Sequence, residues 1–84
     1  MQQKKGGDIM KELKIKLGSI EEVKEFVALT NKCALDVDLV SGRYAVDAKS
    51  IMGIFSLDLG KALTLVIHGE DSELLEEVEK FAEK

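Results

Sequence analysis

The sequence contains no proline, a single cysteine and a single histidine. Without proline, no cis-proline turn is available. With Cys33 alone, an intrachain disulfide and a cysteine metal cluster are both excluded. The longest apolar run, Ala62 to Ile67 with Thr64 inside it, falls far short of the roughly 20 residues a membrane-spanning helix needs. It fits a buried strand instead. The opening residues 1–8 are polar and lead into no apolar signal core. They read as a flexible leader, with the folded domain at residues 9–84. Together these features point to the cytoplasm.

What is present suits one small domain. The chain has 84 residues, 45% of them hydrophobic and 33% charged, which is too apolar for a disordered tail. The net charge is −4. Bases gather early, at Lys4, Lys5, Lys11, Lys14 and Lys16, and acids gather late, from Glu70 to Glu83. A nucleic-acid binder would carry a basic face, so no nucleic-acid partner is expected. A fold this small has little room for a deep substrate pocket. Composition therefore favours a carrier or binding module over an enzyme, with no cofactor and no metal site.

Periodicity predicts the elements. Leu13 to Leu17 alternates apolar and polar residues, as a half-buried strand does. Gly18 breaks the pattern. Ser19-Ile20-Glu21-Glu22 is a capping box, with Ser19 as N-cap and Glu22 reaching back to the free N–H of the cap. A helix then runs to about Lys32, with Ile20, Val23, Phe26, Val27 and Thr30 as its inner stripe. Leu35 to Leu39 alternates again, and Ser41-Gly42 marks a hairpin turn into a strand at Arg43–Asp47. Ser50 to about Leu57 reads as a short helix, Leu63 to His68 as a strand, and Ser72 to Ala82 as a last helix burying Leu74, Leu75, Val78, Phe81 and Ala82. The order β-α-β-β-α-β-α, with one apolar stripe per helix, predicts an α+β open-faced sandwich. Its four-stranded antiparallel sheet is covered on one face by three helices.

One segment carries a resemblance. Lys49-Ser50-Ile51-Met52-Gly53-Ile54-Phe55-Ser56-Leu57 closely resembles the regulatory-serine motif of HPr, the histidine-containing phosphocarrier of the sugar phosphotransferase system. The similarity runs back without a gap through Val37-Asp38-Leu39 and Gly42 and forward through the last strand and helix. It covers about residues 12 to 82. The element order is also the HPr order.

The resemblance fails at the active centre. HPr proteins carry a phosphorylatable histidine at the start of the first helix, followed by an arginine two residues on and then a proline. In register with Ser50, the histidine position is Ser19, the arginine position Glu21 and the proline position Glu22. An imidazole holds phosphate as a labile phosphoramidate that can be passed on. A serine would form a stable ester, which ends a relay. Glu21 places a negative charge where the family has a positive one. No histidine phosphorelay is therefore expected. Ser19 is explained as a helix cap, although a phosphosite or partner contact is also open to it. His68 matches no catalytic position and reads as a surface residue. Cys33 reads as a small core residue.

The resemblance implies a different role for the second helix. Ser50 is at once an N-cap and the position that resembles the target of HPr kinase/phosphorylase. Ile51, Met52 and Phe55 match an apolar patch that docks partners in HPr, so Met52 and Phe55 at least are expected to be partly exposed. The chain is in this respect similar to the catabolite-repression HPr-like proteins, which lack the active histidine and act through the serine. The implied function is a regulatory binding protein in carbon catabolite regulation, phosphorylated at Ser50. Its implied partners are the kinase, a transcriptional regulator and other phosphotransferase-system proteins. The other reading is an HPr-fold interaction module that is not regulated by phosphorylation.

Overall fold

A computed structural model describes residues 10–83; the leader assigned to residues 1–8 lies outside the described residues. The observed elements are β1 (Lys11–Ile15), α1 (Ile20–Asn31), β2 (Val37–Ser41), β3 (Tyr44–Asp47), α2 (Ile51–Phe55), β4 (Leu63–Ile67) and α3 (Ser72–Val78). A 3-10 turn at Glu79–Phe81 continues α3. The four strands form one antiparallel sheet in the order β1-β4-β2-β3. The α+β open-faced sandwich is therefore the fold.

Strand alternation decides the sheet's two faces. Ile15, Leu63, Leu65, Ile67, Val37 and Leu39 point to the helices and are buried. Against them pack Val23 and Phe26 from α1, Ile54 from α2, and Leu74 and Val78 from α3. Phe26 meets Phe81 edge to face, with ring centroids 6.0 Å apart. The open face carries Glu12, Lys14, Asp38, Asp47 and Thr64. Its one deeply covered side chain, Val66, lies between its cross-strand neighbours Glu12 and Asp38.

Several boundaries differ from the periodicity reading, each for a local reason. β1 lies two residues earlier than its alternation suggests. Its partner β4 begins at Leu63, opposite Ile15, so Lys16 and Leu17 have no strand beside them. Lys16 instead donates its N–H to the Phe81 carbonyl at 2.9 Å, and Leu17 is buried as the chain turns toward α1. β2 is also later than expected, because Leu35 and Asp36 form its approach. The hairpin turn is Gly42-Arg43 rather than Ser41-Gly42, since Ser41 pairs with Tyr44. Gly42 has φ 59° and Arg43 an ordinary negative φ, a turn with positive φ at its first central residue only.

The helices also end differently. Asp71 caps α3, its carboxylate accepting the Leu74 N–H at 3.0 Å, and Ser72 is the first helical residue. α3 gives way at Val78 because Ala82 bridges to Ile15 and the Glu83 N–H reaches the Lys14 carbonyl. The chain thus leaves the helix to extend the edge of β1. Leu75 and Ala82 are half-buried rather than core. Ile20, assigned to the inner stripe of α1, is 58% exposed. It is the first residue of the helix, and burial begins three residues later at Val23.

Phe26 is fully buried and touches the aromatic contact that joins α1 to the C-terminal turn. Phe26→Ala is expected to cost about 3–5 kcal/mol, a large part of the roughly 5–15 kcal/mol that holds a domain folded. Urea unfolding followed by circular dichroism measures it.

Candidate functional site

The site begins with the two helix starts that the sequence singles out. At α1, Ser19 adopts extended φ/ψ of −152° and 164°, and its hydroxyl accepts the Glu22 N–H at 3.2 Å. The reciprocal bond of the capping box is displaced by one residue. The Glu22 carboxylate accepts from Gly18 N–H at 2.6 Å, not from the N–H of Ser19. Gly18 permits this approach, since a Cβ there would stand 3.3 Å from Glu22 Oε1. Glu21 and Glu22 both lie in the first turn, where the helix dipole favours negative charge. Two of the chain's own carboxylates therefore stand at the positive end of α1.

At α2 the arrangement differs. Ser50 is the N-cap, half-buried, and its hydroxyl accepts the Gly53 N–H at 3.1 Å. No acid occupies the first turn of α2. Two side chains of α1 hold the approach to it: Thr30, fully buried, donates to the Ala48 carbonyl at 2.8 Å, and Asn31 donates to the Lys49 carbonyl at 3.1 Å. Sequence reasoning placed Thr30 on the inner stripe but missed this tether. Its signal was a polar residue at a core position, which demands a hydrogen-bond partner.

These tethers bind the C-terminal end of α1. Ser19 lies at the other end of that 12-residue helix, about 18 Å along its axis. The structure thus keeps Ser19 and Ser50 apart. The residues of α2 divide as the helical period requires. Ile54 is fully buried and Ile51 packs partly against the core. Met52 is 76% exposed and Phe55 41% exposed. Those two side chains, one turn apart, form an apolar outer face beside Ser50.

The other candidates have structural occupations. His68 follows β4 on the open side of the sheet, its Nε2 2.8 Å from Asp38 Oδ2. α1 packs on the opposite side, so His68 is not near Ser19. Cys33 is buried just beyond α1. Burial pushes its thiol pKa up, against a bond from the Leu35 backbone, and the Asp71 carboxylate beside it adds to the rise. Lys49 Nζ donates to the Cys33 carbonyl at 2.7 Å. Among the described residues, no group of three His, Cys, Asp or Glu side chains is placed to hold a metal ion. No helix among them is long and apolar enough to cross a membrane.

This geometry can be set beside known proteins. The family model PTS-HPr, described as the PTS HPr component phosphorylation site, matches residues 21–84. The chain belongs to the HPr family. Two solved structures are similar along nearly their whole length. A phosphocarrier protein HPr from Bacillus anthracis str. Ames shares 27% identity at a TM-score of 0.73, over 88% of this chain and 98% of that one. HPr-C-His from Thermoanaerobacter tengcongensis shares 28% identity at a TM-score of 0.69, again over 88% and 98%. The comparison with curated proteins returns no match. HPr proteins are phosphocarriers of the phosphotransferase system, not enzymes.

Two outcomes follow from the caps. Ser50→Ala leaves the Gly53 N–H without its acceptor and is expected to cost about 1 kcal/mol of stability, while Ser50→Asp keeps a capping oxygen and costs less. Urea midpoints of the two variants decide this. At α3, the Leu74 N–H, then the Cys33 thiol and the Glu73 N–H, hold the Asp71 carboxyl below its ordinary value of 3.8. A group lowered on folding stabilises the fold above its unfolded pKa and loses that contribution as pH falls through the folded one. Asp71→Asn lacks this component. The stabilities of wild type and variant should therefore converge as pH drops below 3.8, measured by urea unfolding at a series of pH values.

Proposed function

We propose that this HPr-family protein is a cytoplasmic regulatory binding protein that does not relay phosphate through histidine. It is controlled by phosphorylation at Ser50 and docks protein partners through α2 in carbon catabolite regulation. The observation that carries this reading is the contrast between the two helix starts. At α1, the family's histidine position is Ser19, its arginine position is Glu21, and the Glu22 carboxylate is bonded to Gly18 N–H. An incoming phosphoryl group would meet two acids there. At α2, Ser50 caps a helix whose first turn holds no acid. A phosphate on that hydroxyl adds about −1.5 to −2 charge beside free N–H groups that favour an anion.

Met52 and Phe55 support the docking part. Exposed apolar side chains cost little when single, but a clustered pair next to a switchable charge suits a partner surface. The mechanism has two components. HPr kinase/phosphorylase transfers phosphate from ATP to the Ser50 hydroxyl, releasing ADP. The phosphoserine then meets basic groups on a transcriptional regulator, while Met52, Phe55 and the half-buried Ile51 supply apolar contact. Ser19 lies apart from this surface, so its contribution to docking would be through a partner broad enough to span α1.

A second reading, an interaction module indifferent to Ser50, is favoured by one observation: Ser50 has a complete structural occupation as the cap of α2. Intact mass after incubation with HPr kinase and ATP separates the two. One added phosphate is expected on the wild type and none on Ser50→Ala. No added phosphate, with an ordinary HPr modified in the same tube, would overturn regulation at Ser50. Incubation with enzyme I and phosphoenolpyruvate should give no acid-labile phosphoprotein, and its appearance would restore the relay.

A further inference from the structure

The surface grooves differ in charge. One, beside His68, carries Asp36, Asp38 and Asp47 against Lys49. Another, beside Leu75, carries Glu70 and Asp71 against Lys11. The groove between the β2–β3 hairpin and the connection from α2 to β4 reverses that sign. It is an open groove of about 700 Å³, and its charged lining is Arg43 and Lys61 against Asp58. In a chain of net charge −4, this is a local excess of cations.

The fold does not account for the residues that make it. The hairpin needs a positive φ at Gly42 and asks nothing of the side chain at Arg43. Arg43 joins no ion pair among the described residues. Tyr44 is 72% exposed and buries little. Asp58, exposed at the groove, spends one oxygen within its own loop, accepting the Gly60 N–H at 3.1 Å. Its other oxygen lies 3.9 Å from Lys61 Nζ, with both side chains well exposed. So loose a pair is worth little and yields readily to a better anion. Val46 and Leu57 supply an apolar wall.

We infer that this groove is a ligand site for a small organic phosphate with an aromatic or apolar body. The guanidinium of Arg43 offers a planar fork to phosphate oxygens, and Lys61 supplies the second charge a dianion matches. The Tyr44 ring is available to stack on the body, against Val46 and Leu57. The volume suits a small molecule. The groove meets α2 at Ser56 and Leu57, the end opposite its Ser50 cap. The site therefore stands whether or not Ser50 is modified.

Phenyl phosphate, titrated into the nitrogen-15-labelled full chain, is the probe. Saturating shifts at millimolar ligand are expected for the amides of residues 41–46 and 56–61. The double variant Arg43→Gln, Lys61→Gln should bind at least about tenfold more weakly, a loss of about 1.4 kcal/mol or more. Tyr44→Ser should weaken phenyl phosphate while leaving the weaker binding of inorganic phosphate unchanged. All three side chains are exposed, so the variants should keep the wild-type spectrum elsewhere. Unchanged affinity in the double variant, shifts centred on Ser19 or Ser50, or no saturation at all would overturn the inference.

Discussion

A sheet covered on one face only is the constraint from which the rest of the molecule follows. β1, β2 and β4 place buried apolar side chains on the covered side, β3 adds only the half-buried Val46, and three helices roof them. α1 and α3 each lay two or more buried side chains on that roof. α2 is five residues long and contributes one fully buried residue, Ile54. A helix that short has about a turn and a half, so inward-pointing Ile54 leaves Met52 and Phe55 facing out. Their exposure is a geometric result of closing the roof with a short element. The same shortness gives α2 little intrinsic stability, and the Thr30 and Asn31 bonds to the segment before it hold it in place.

The two helix starts show how one backbone device can serve opposite ends. Any helix leaves N–H groups unpaired at its beginning. α1 satisfies one of them with Ser19 and holds the Glu22 carboxylate against Gly18 N–H, just ahead of the helix. α2 satisfies one with Ser50 and places no carboxylate in its first turn. The two starts therefore differ in the charge placed beside them: two carboxylates in the first turn of α1 and none in that of α2.

Much of this was legible in the residues, and the failures are instructive. The fold class and the Ser19 and Ser50 caps follow from short-range pattern, where spacing decides geometry, and the exposure of Met52 and Phe55 is what the resemblance to HPr implies. Alternation alone sets β1 too late because it continues through Leu17, and only the start of β4 tells where pairing stops. Ile20 has the right helical phase but stands exposed at the first position of the helix. The Gly42-Arg43 turn depends on Ser41 finding Tyr44 across the hairpin. The Thr30 tether and the Cys33–Asp71 contact join residues distant in the chain. For β1, Thr30 and Cys33 the missing piece was a partner distant in the chain, which periodicity cannot name. The groove at Arg43, Tyr44 and Lys61 was invisible for the same reason.

Charge also limits what a phosphate on Ser50 can do. The nearest base in sequence, Lys49, is already engaged at the Cys33 carbonyl, so it is not free to clamp a new anion without releasing that bond. Asp47 lies close by and bonds the Lys49 N–H at 2.9 Å, adding repulsion. The compensation left is the dipole and unpaired N–H groups of a five-residue helix, which are modest. Phosphorylation would then change the surface far more than the fold. A surface that gains negative charge without internal neutralisation presents it outward, next to Met52 and Phe55. A partner with a basic rim around an apolar pocket is the complement that such a surface selects.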